Sequence, residues 1–137
     1  MDQIYTHPKR KTKVVFVQLG SPSEPTTKAL RKYLRKFLGD PRVVDINPWL
    51  WKIILNFFVL PFRPKKSAKL YARIWDGKSF PLITNTRDFT NNVREELKKI
   101  DPNGYVEVNH AFLLSPPYVN EVYDSWEDDL KKGIGAT

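Results

Sequence analysis

The sequence predicts an α/β domain whose parallel sheet is flanked by helices. Three observations carry this. Residues 13–19, KVVFVQL, form a short β-branched and almost wholly apolar run, the pattern of a strand buried on both faces of a parallel sheet. Residues 105–112, YVEVNHAF, alternate and then turn apolar, as a second strand does. Helical periodicities fill the space between and after them, and that order implies right-handed crossovers.

The elements follow in order. Residues 1–12 are a polar tail, MDQIYTHPKRKT, with no apolar signal-peptide core. The domain is placed over residues 13–137. GSPSEP after the first strand is a turn-rich loop. Thr26 is placed to cap a helix reaching about Leu38 and stopped by Gly39. Leu30, Tyr33, Leu34, Phe37 and Leu38 line its apolar stripe, and Lys28, Arg31, Lys32, Arg35 and Lys36 its other face. Residues 65–75 read as another helix with Ala68, Tyr71 and Trp75 on one side. DGKSFP breaks the chain, and Asn85 opens a longer helix with Phe89, Val93, Leu97 and Ile100 in register. After the DPNG turn and the second strand, Pro116 and Pro117 start a last helix, since proline fits a first turn. Val119, Val122, Tyr123, Trp126 and Leu130 form its stripe. It ends where a third strand is expected. Either the chain is half of a larger protein or a strand escapes the pattern.

Composition narrows the function classes. The 137 residues are 41% hydrophobic, enough for one core. With no cysteine there is no disulfide, thiolate metal site or thiol nucleophile, which fits a reducing compartment. The net charge of +8 is uneven. Residues 1–73 hold 16 Lys/Arg against 4 Asp/Glu, and residues 74–137 hold 7 against 11. A front half near +12 suits an anionic partner.

One segment stands apart in a chain of mean hydropathy −0.48. NPWLWKIILNFFVLPFRPKKS, residues 47–67, crowds 11 apolar side chains into 14 positions and ends in Arg63, Lys65 and Lys66. It falls short of the roughly 20 apolar residues of a bilayer span. The apolar residues nearly encircle any helix drawn through them. Two readings stay open: a helix sandwiched in a core, or an exposed lip that meets lipid or a large apolar ligand. The adjoining charge favours a flat apolar ligand with carboxylates, met by an aromatic wall and a guanidinium.

Little else carries chemistry. His7 lies in the tail, and His110 sits near the end of the second strand, at the edge where α/β folds place ligands. No His or Cys pair has metal-ligand spacing. Glu121, Asp124, Glu127, Asp128 and Asp129 read as a solvated helix face. QLGSP holds a single glycine after a strand, far from a full dinucleotide fingerprint. No metal-binding or catalytic residue is assigned.

Four segments, KVVFVQLGSPSEPT, YLRKFLGDPRVVDI, LPFRPKKSAKLYARIW and FPLITNTRDF, together resemble the N-terminal half of a ferrochelatase, in the family's order and spacing. The resemblance implies a chelatase-like, Rossmann-like lobe, one half of a two-lobe protein with a porphyrin in the cleft between the lobes. The implied reaction inserts ferrous iron into a porphyrin in haem biosynthesis. Both are substrates, and no cofactor is implied for this chain.

Residue by residue, Arg63 matches the family arginine that meets a porphyrin propionate, and Tyr71 a pocket tyrosine. Leu19 and Gly20 match the end of the first strand, beneath the macrocycle. Ser79 stands for a pocket serine, shifted because the chain reads Ser79-Phe80-Pro81-Leu82 where the family reads Ser-Pro-Leu. Trp49, Leu50, Ile53, Ile54, Phe57 and Phe58 fall in the hydrophobic lip that touches the membrane surface. Gln18 replaces a common Asn, and Ala111–Ser115 departs from the family's Arg-Tyr-Gly pattern with one apparent extra residue. The family's catalytic His and Glu belong to the other half, and His110 does not match that histidine. The implied partners are porphyrin, the second lobe and a membrane surface, with a cytoplasmic location. The alternative is a non-catalytic module that binds tetrapyrrole or an acidic membrane. Nucleic acid fits poorly, because the basic residues lie on separate helices and the apolar run has no role in it.

Overall fold

β1 (Thr12–Gln18) and β2 (Val106–Phe112) pair in parallel, with Thr12 opposite Val106 and Gln18 opposite Phe112. These elements come from a computed structural model that describes residues 11–134. The expected polar tail, with His7, lies outside the described residues except for its last two positions, and Thr12 already belongs to β1. Among the described residues the sheet has these two strands. The expectation that the first strand is buried on both faces is not met: Val14–Phe16 are half-buried, and Val17 and Gln18 are exposed. β2 covers one edge of β1, and no described strand covers the other.

Successive strand residues face opposite sides, which places the two helices that touch the sheet. Phe16 meets Phe89 of α4 (Pro81–Ile100) edge-on at 5.0 Å. Lys13, three residues earlier, faces α5 (Val119–Ile134), where it pairs with Asp129 at 3.2 Å and lies over the Trp126 ring. The sheet is thus sandwiched between α4 and α5. Arg94 staples α4 to β2 through the Val108 carbonyl (2.7 Å) and the Asn109 side chain (2.6 Å). Thr90, fully buried, returns its hydroxyl to the Thr86 carbonyl.

α1 (Thr27–Gly39) starts as expected, with the Thr26 hydroxyl accepting from the Ala29 amide at 3.2 Å. Gly39 is its last residue, not the stop beyond it. The larger correction concerns the apolar segment. The helix expected over 65–75 is not a separate element that begins after the run. α2 (Pro48–Ile54), a π-helical turn (Leu55–Val59) and α3 (Leu60–Ala72) form one continuous helical stretch. Two prolines, Pro61 and Pro64, are absorbed into it. Pro61 is the second residue of α3, directly after the π turn. Pro64 cannot donate to the Leu60 carbonyl, which instead accepts from Arg31 Nε of α1 at 3.3 Å. The Leu60 amide reaches back to Leu55, the wider i→i−5 bond of a π turn.

Two further starts differ. α4 begins at Pro81, four residues before Asn85, because proline suits its first turn. α5 begins at Val119, so Pro116 and Pro117 precede it. Trp75 lies past the end of α3, but its ring still packs on Phe80 at 4.6 Å. Fully or nearly fully buried Leu30, Phe80, Ala111 and Phe112 mark the core.

Candidate functional site

Both strands end in the same short sequence. Gly20-Ser21-Pro22 follows β1 and Leu114-Ser115-Pro116 follows β2. The ladder runs on past the strands, with the Leu113 amide on Gln18 O and the Leu114 amide on Leu19 O, each at 3.0 Å. Ser21 and Ser115 therefore stay side by side, and the Ser21 amide points at Ser115 Oγ at 3.4 Å. Gly20 makes this possible. Its φ of +95° favours glycine, and a Cβ there would lie 2.4 Å from Ser115 Oγ. A cavity of about 370 Å³ opens over these strand ends, between α1 and the start of α4. Ser21, Ser115, Tyr33, Phe80 and Ser79 line it, with lysines at its rim. This is the carboxyl edge of parallel strands, where α/β folds bind ligands.

The loop before α4 is built by one carboxylate. Asp76 Oδ1 accepts from the amides of Lys78 (2.7 Å) and Ser79 (2.6 Å). Those bonds, Ser79 first, hold its carboxyl below the usual range. They fix Ser79 at the cavity wall and set Phe80 beneath it, 2% exposed. The Tyr71 ring meets Phe80 edge-on at 5.4 Å. Tyr33 donates its hydroxyl to the Gly20 carbonyl at 3.3 Å. Burial first, and the Tyr71 hydroxyl second, push the Tyr33 hydroxyl up to about 12.

Of the residues singled out in the sequence, Gly20, Tyr71 and Ser79 converge around Tyr33 and Phe80. Only Ser79 of these lines the cavity itself; Gly20 and Tyr71 sit behind it, and Leu19, 37% exposed at the end of β1, does not line it either. Arg63 stands apart: it is exposed on α3, about 12 Å of helix rise before Tyr71. Among the described residues it makes no ion pair. His110 is half-buried and does not line the cavity. Its Nδ1 is buried without a partner, and burial, then Arg94 and Arg87, lower its pKa. Among the described residues no group of three His, Asp or Glu side chains could hold a metal ion.

The apolar segment splits along its length. Leu55, Leu60, Pro64 and Ala68 are buried, and the Trp51 indole donates to the Leu38 carbonyl at 2.6 Å. Ile53 and Ile54 are half-buried. Trp49, Leu50, Phe57, Phe58 and Phe62 are exposed, from 50% to 75%. Neither reading of the segment holds for all of it: one side docks on the domain and the other faces outward. Among the described residues no helix is long and apolar enough to cross a membrane.

Sequence reasoning missed Ser21, Ser115, Lys32, Lys36 and Lys78 as cavity residues. The available signal was the repeated Ser-Pro pair, 94 positions apart, matching the offset of the strand register. The lysines gave no such signal, since Lys32 and Lys36 read as the outer face of a helix and Lys78 as part of a chain break.

A protein-family model described as Ferrochelatase matches residues 11–134. A curated ferrochelatase of Idiomarina loihiensis is 38% identical over 121 residues, which cover 88% of this chain and 32% of that protein. The coproporphyrin III ferrochelatase of Enterococcus faecalis is 40% identical over 116 residues, covering 85% and 35%. A ferrochelatase of Psychrobacter cryohalolentis is 61% identical over 66 residues, 48% of this chain and 20% of its own length. The matched part of this chain thus spans only about a fifth to a third of these relatives.

Proposed function

The chain belongs to the ferrochelatase family, and from that premise we propose that it forms one lobe of an enzyme inserting ferrous iron into a porphyrin in haem biosynthesis. The observation that carries this reading is the convergence of Gly20, Tyr71 and Ser79 around Tyr33 and Phe80 at the carboxyl edge of the parallel strands. Aromatic rings there offer a flat macrocycle an apolar wall. Arg63, exposed and without an ion-pair partner among the described residues, supplies a guanidinium for a propionate. A second lobe closes the cleft and contributes the base that takes pyrrole protons. The lobe is placed in the cytoplasm, with peripheral membrane contact through its lip.

Absorbance titration of a dicarboxylate porphyrin into the chain tests this. Arg63→Ala is expected to weaken binding by about tenfold, the scale of one charge-assisted hydrogen bond. Binding that survives unchanged removes the propionate role from Arg63.

A second reading is a non-catalytic module for tetrapyrrole or an acidic membrane. The exposed Trp49, Phe57, Phe58 and Phe62 beside Lys65 and Lys66 favour the membrane arm of it. Liposome co-sedimentation with and without anionic lipid separates the two arms, because a membrane module pellets with anionic vesicles whether or not porphyrin is present.

A further inference from the structure

We propose that the cavity over the strand ends binds a small anionic group, a carboxylate or a phosphate, through Lys32, Lys78 and the paired serines Ser21 and Ser115. Its volume of about 370 Å³ lies near the lower end of ligand pockets and suits a small ion or one polar substituent better than a whole macrocycle. Three lysines, Lys32, Lys36 and Lys78, line it, and no Asp or Glu does. A rim of one sign over low-dielectric walls of Phe80, Trp75 and Tyr33 concentrates positive potential inside.

The floor is polar and incompletely satisfied. Ser21 is 6% exposed, and its Oγ is buried with no hydrogen-bond partner. An unpaired buried hydroxyl costs free energy unless a ligand or water completes it. Ser115, 8% exposed, lies beside it and meets the Ser21 amide only at 3.4 Å, a long contact. An anion oxygen in the cavity would take the Ser21 hydroxyl as donor. Lys36 has other work: its ammonium donates to the Tyr118 hydroxyl at 3.2 Å and lies 4.3 Å from that ring's centre. Lys32 and Lys78 make no ion pair among the described residues and are exposed, so they are free to turn inward.

This site shares Ser79, Tyr33 and Phe80 with the proposed porphyrin wall, but its anion contacts depend on neither Arg63 nor Tyr71. Loss of porphyrin binding would therefore leave it standing. Isothermal titration of inorganic phosphate and of succinate into the chain at low salt tests it. Saturable binding of at least one anion is expected. Lys32→Ala with Lys78→Ala is expected to weaken it at least tenfold, with an unchanged circular dichroism spectrum, and Lys69→Ala outside the cavity to leave it alone. Ser21→Ala, a smaller change, is expected to weaken it several-fold. Competition with a dicarboxylate porphyrin, absent for its dimethyl ester, would identify the anion as a substrate carboxylate. Independent binding of phosphate and porphyrin would identify a free anion. No saturable binding by either probe, or binding indifferent to the double lysine change, overturns the proposal.

Discussion

The two ends of the segment that runs from α2 to the start of α4 treat aromatic side chains in opposite ways. At the far end, Trp49, Phe57, Phe58 and Phe62 stand 66% to 75% exposed. At the near end, Phe80 is 2% exposed between Tyr71 and Trp75. Burying a ring of this size is worth about 1.5–3 kcal/mol. The near end collects that stabilisation and the far end forgoes it several times over. Folding of this lobe therefore explains Phe80 and does not explain Phe57, Phe58 or Phe62. A contiguous exposed set of rings beside Arg63, Lys65 and Lys66 suits a surface that meets something else.

The contrast yields predictions in descending size. Phe80→Ala should lower the unfolding free energy by about 3–5 kcal/mol, the usual cost of emptying a buried ring site. Denaturant melts check it, and a loss below about 1 kcal/mol would erase the distinction between the two ends. Gly20→Ala should cost about 1–3 kcal/mol, since it combines a left-handed backbone with a collision against Ser115. Thermal melts should show most of the drop persisting when Ser115→Ala removes the hydroxyl, because the backbone strain and the tight approach to Phe112 remain.

A third prediction concerns pH. The folded state keeps the Tyr33 proton up to about 12, whereas an unfolded tyrosine releases it near 10. Above pH 10 the unfolded chain binds fewer protons, so stability should fall as pH rises from about 10 to about 12. Tyr33→Phe should flatten that decline in melts across the window, and an identical slope would show that Tyr33 is not the group responsible. The smallest stability effect is expected at the far end. Phe58→Ser with Phe62→Ser should change the unfolding free energy by no more than about 0.5 kcal/mol. The same pair should weaken co-sedimentation with anionic vesicles. A loss of several kcal/mol would mean that these rings serve the lobe's own core.

Much of the fold was legible because it rests on local pattern. The alternating and apolar runs marked both strands to within one residue, and Thr26 marked the start of α1. Local chemistry misled where a neighbour altered the rule. Pro64 reads as a helix breaker, yet Arg31 from another helix satisfies the carbonyl it strands. Asn85 reads as a helix start, yet Pro81 opens the helix four residues sooner.

The site divides along the same line. The family resemblance named Gly20, Tyr71 and Ser79, because its motifs are properties of short segments. Charge asymmetry likewise pointed to an anionic partner without any coordinates. Only the tertiary structure decided where those features meet. Parallel pairing sets residues 94 positions apart side by side, and this brings Ser21 against Ser115. α1 and the loop before α4 then bring Lys32 and Lys78 to one rim. It also decided which side of residues 48–62 docks and which is left outward, because burial depends on what α1 covers. No periodicity in the segment itself encodes that choice when nearly every position is apolar.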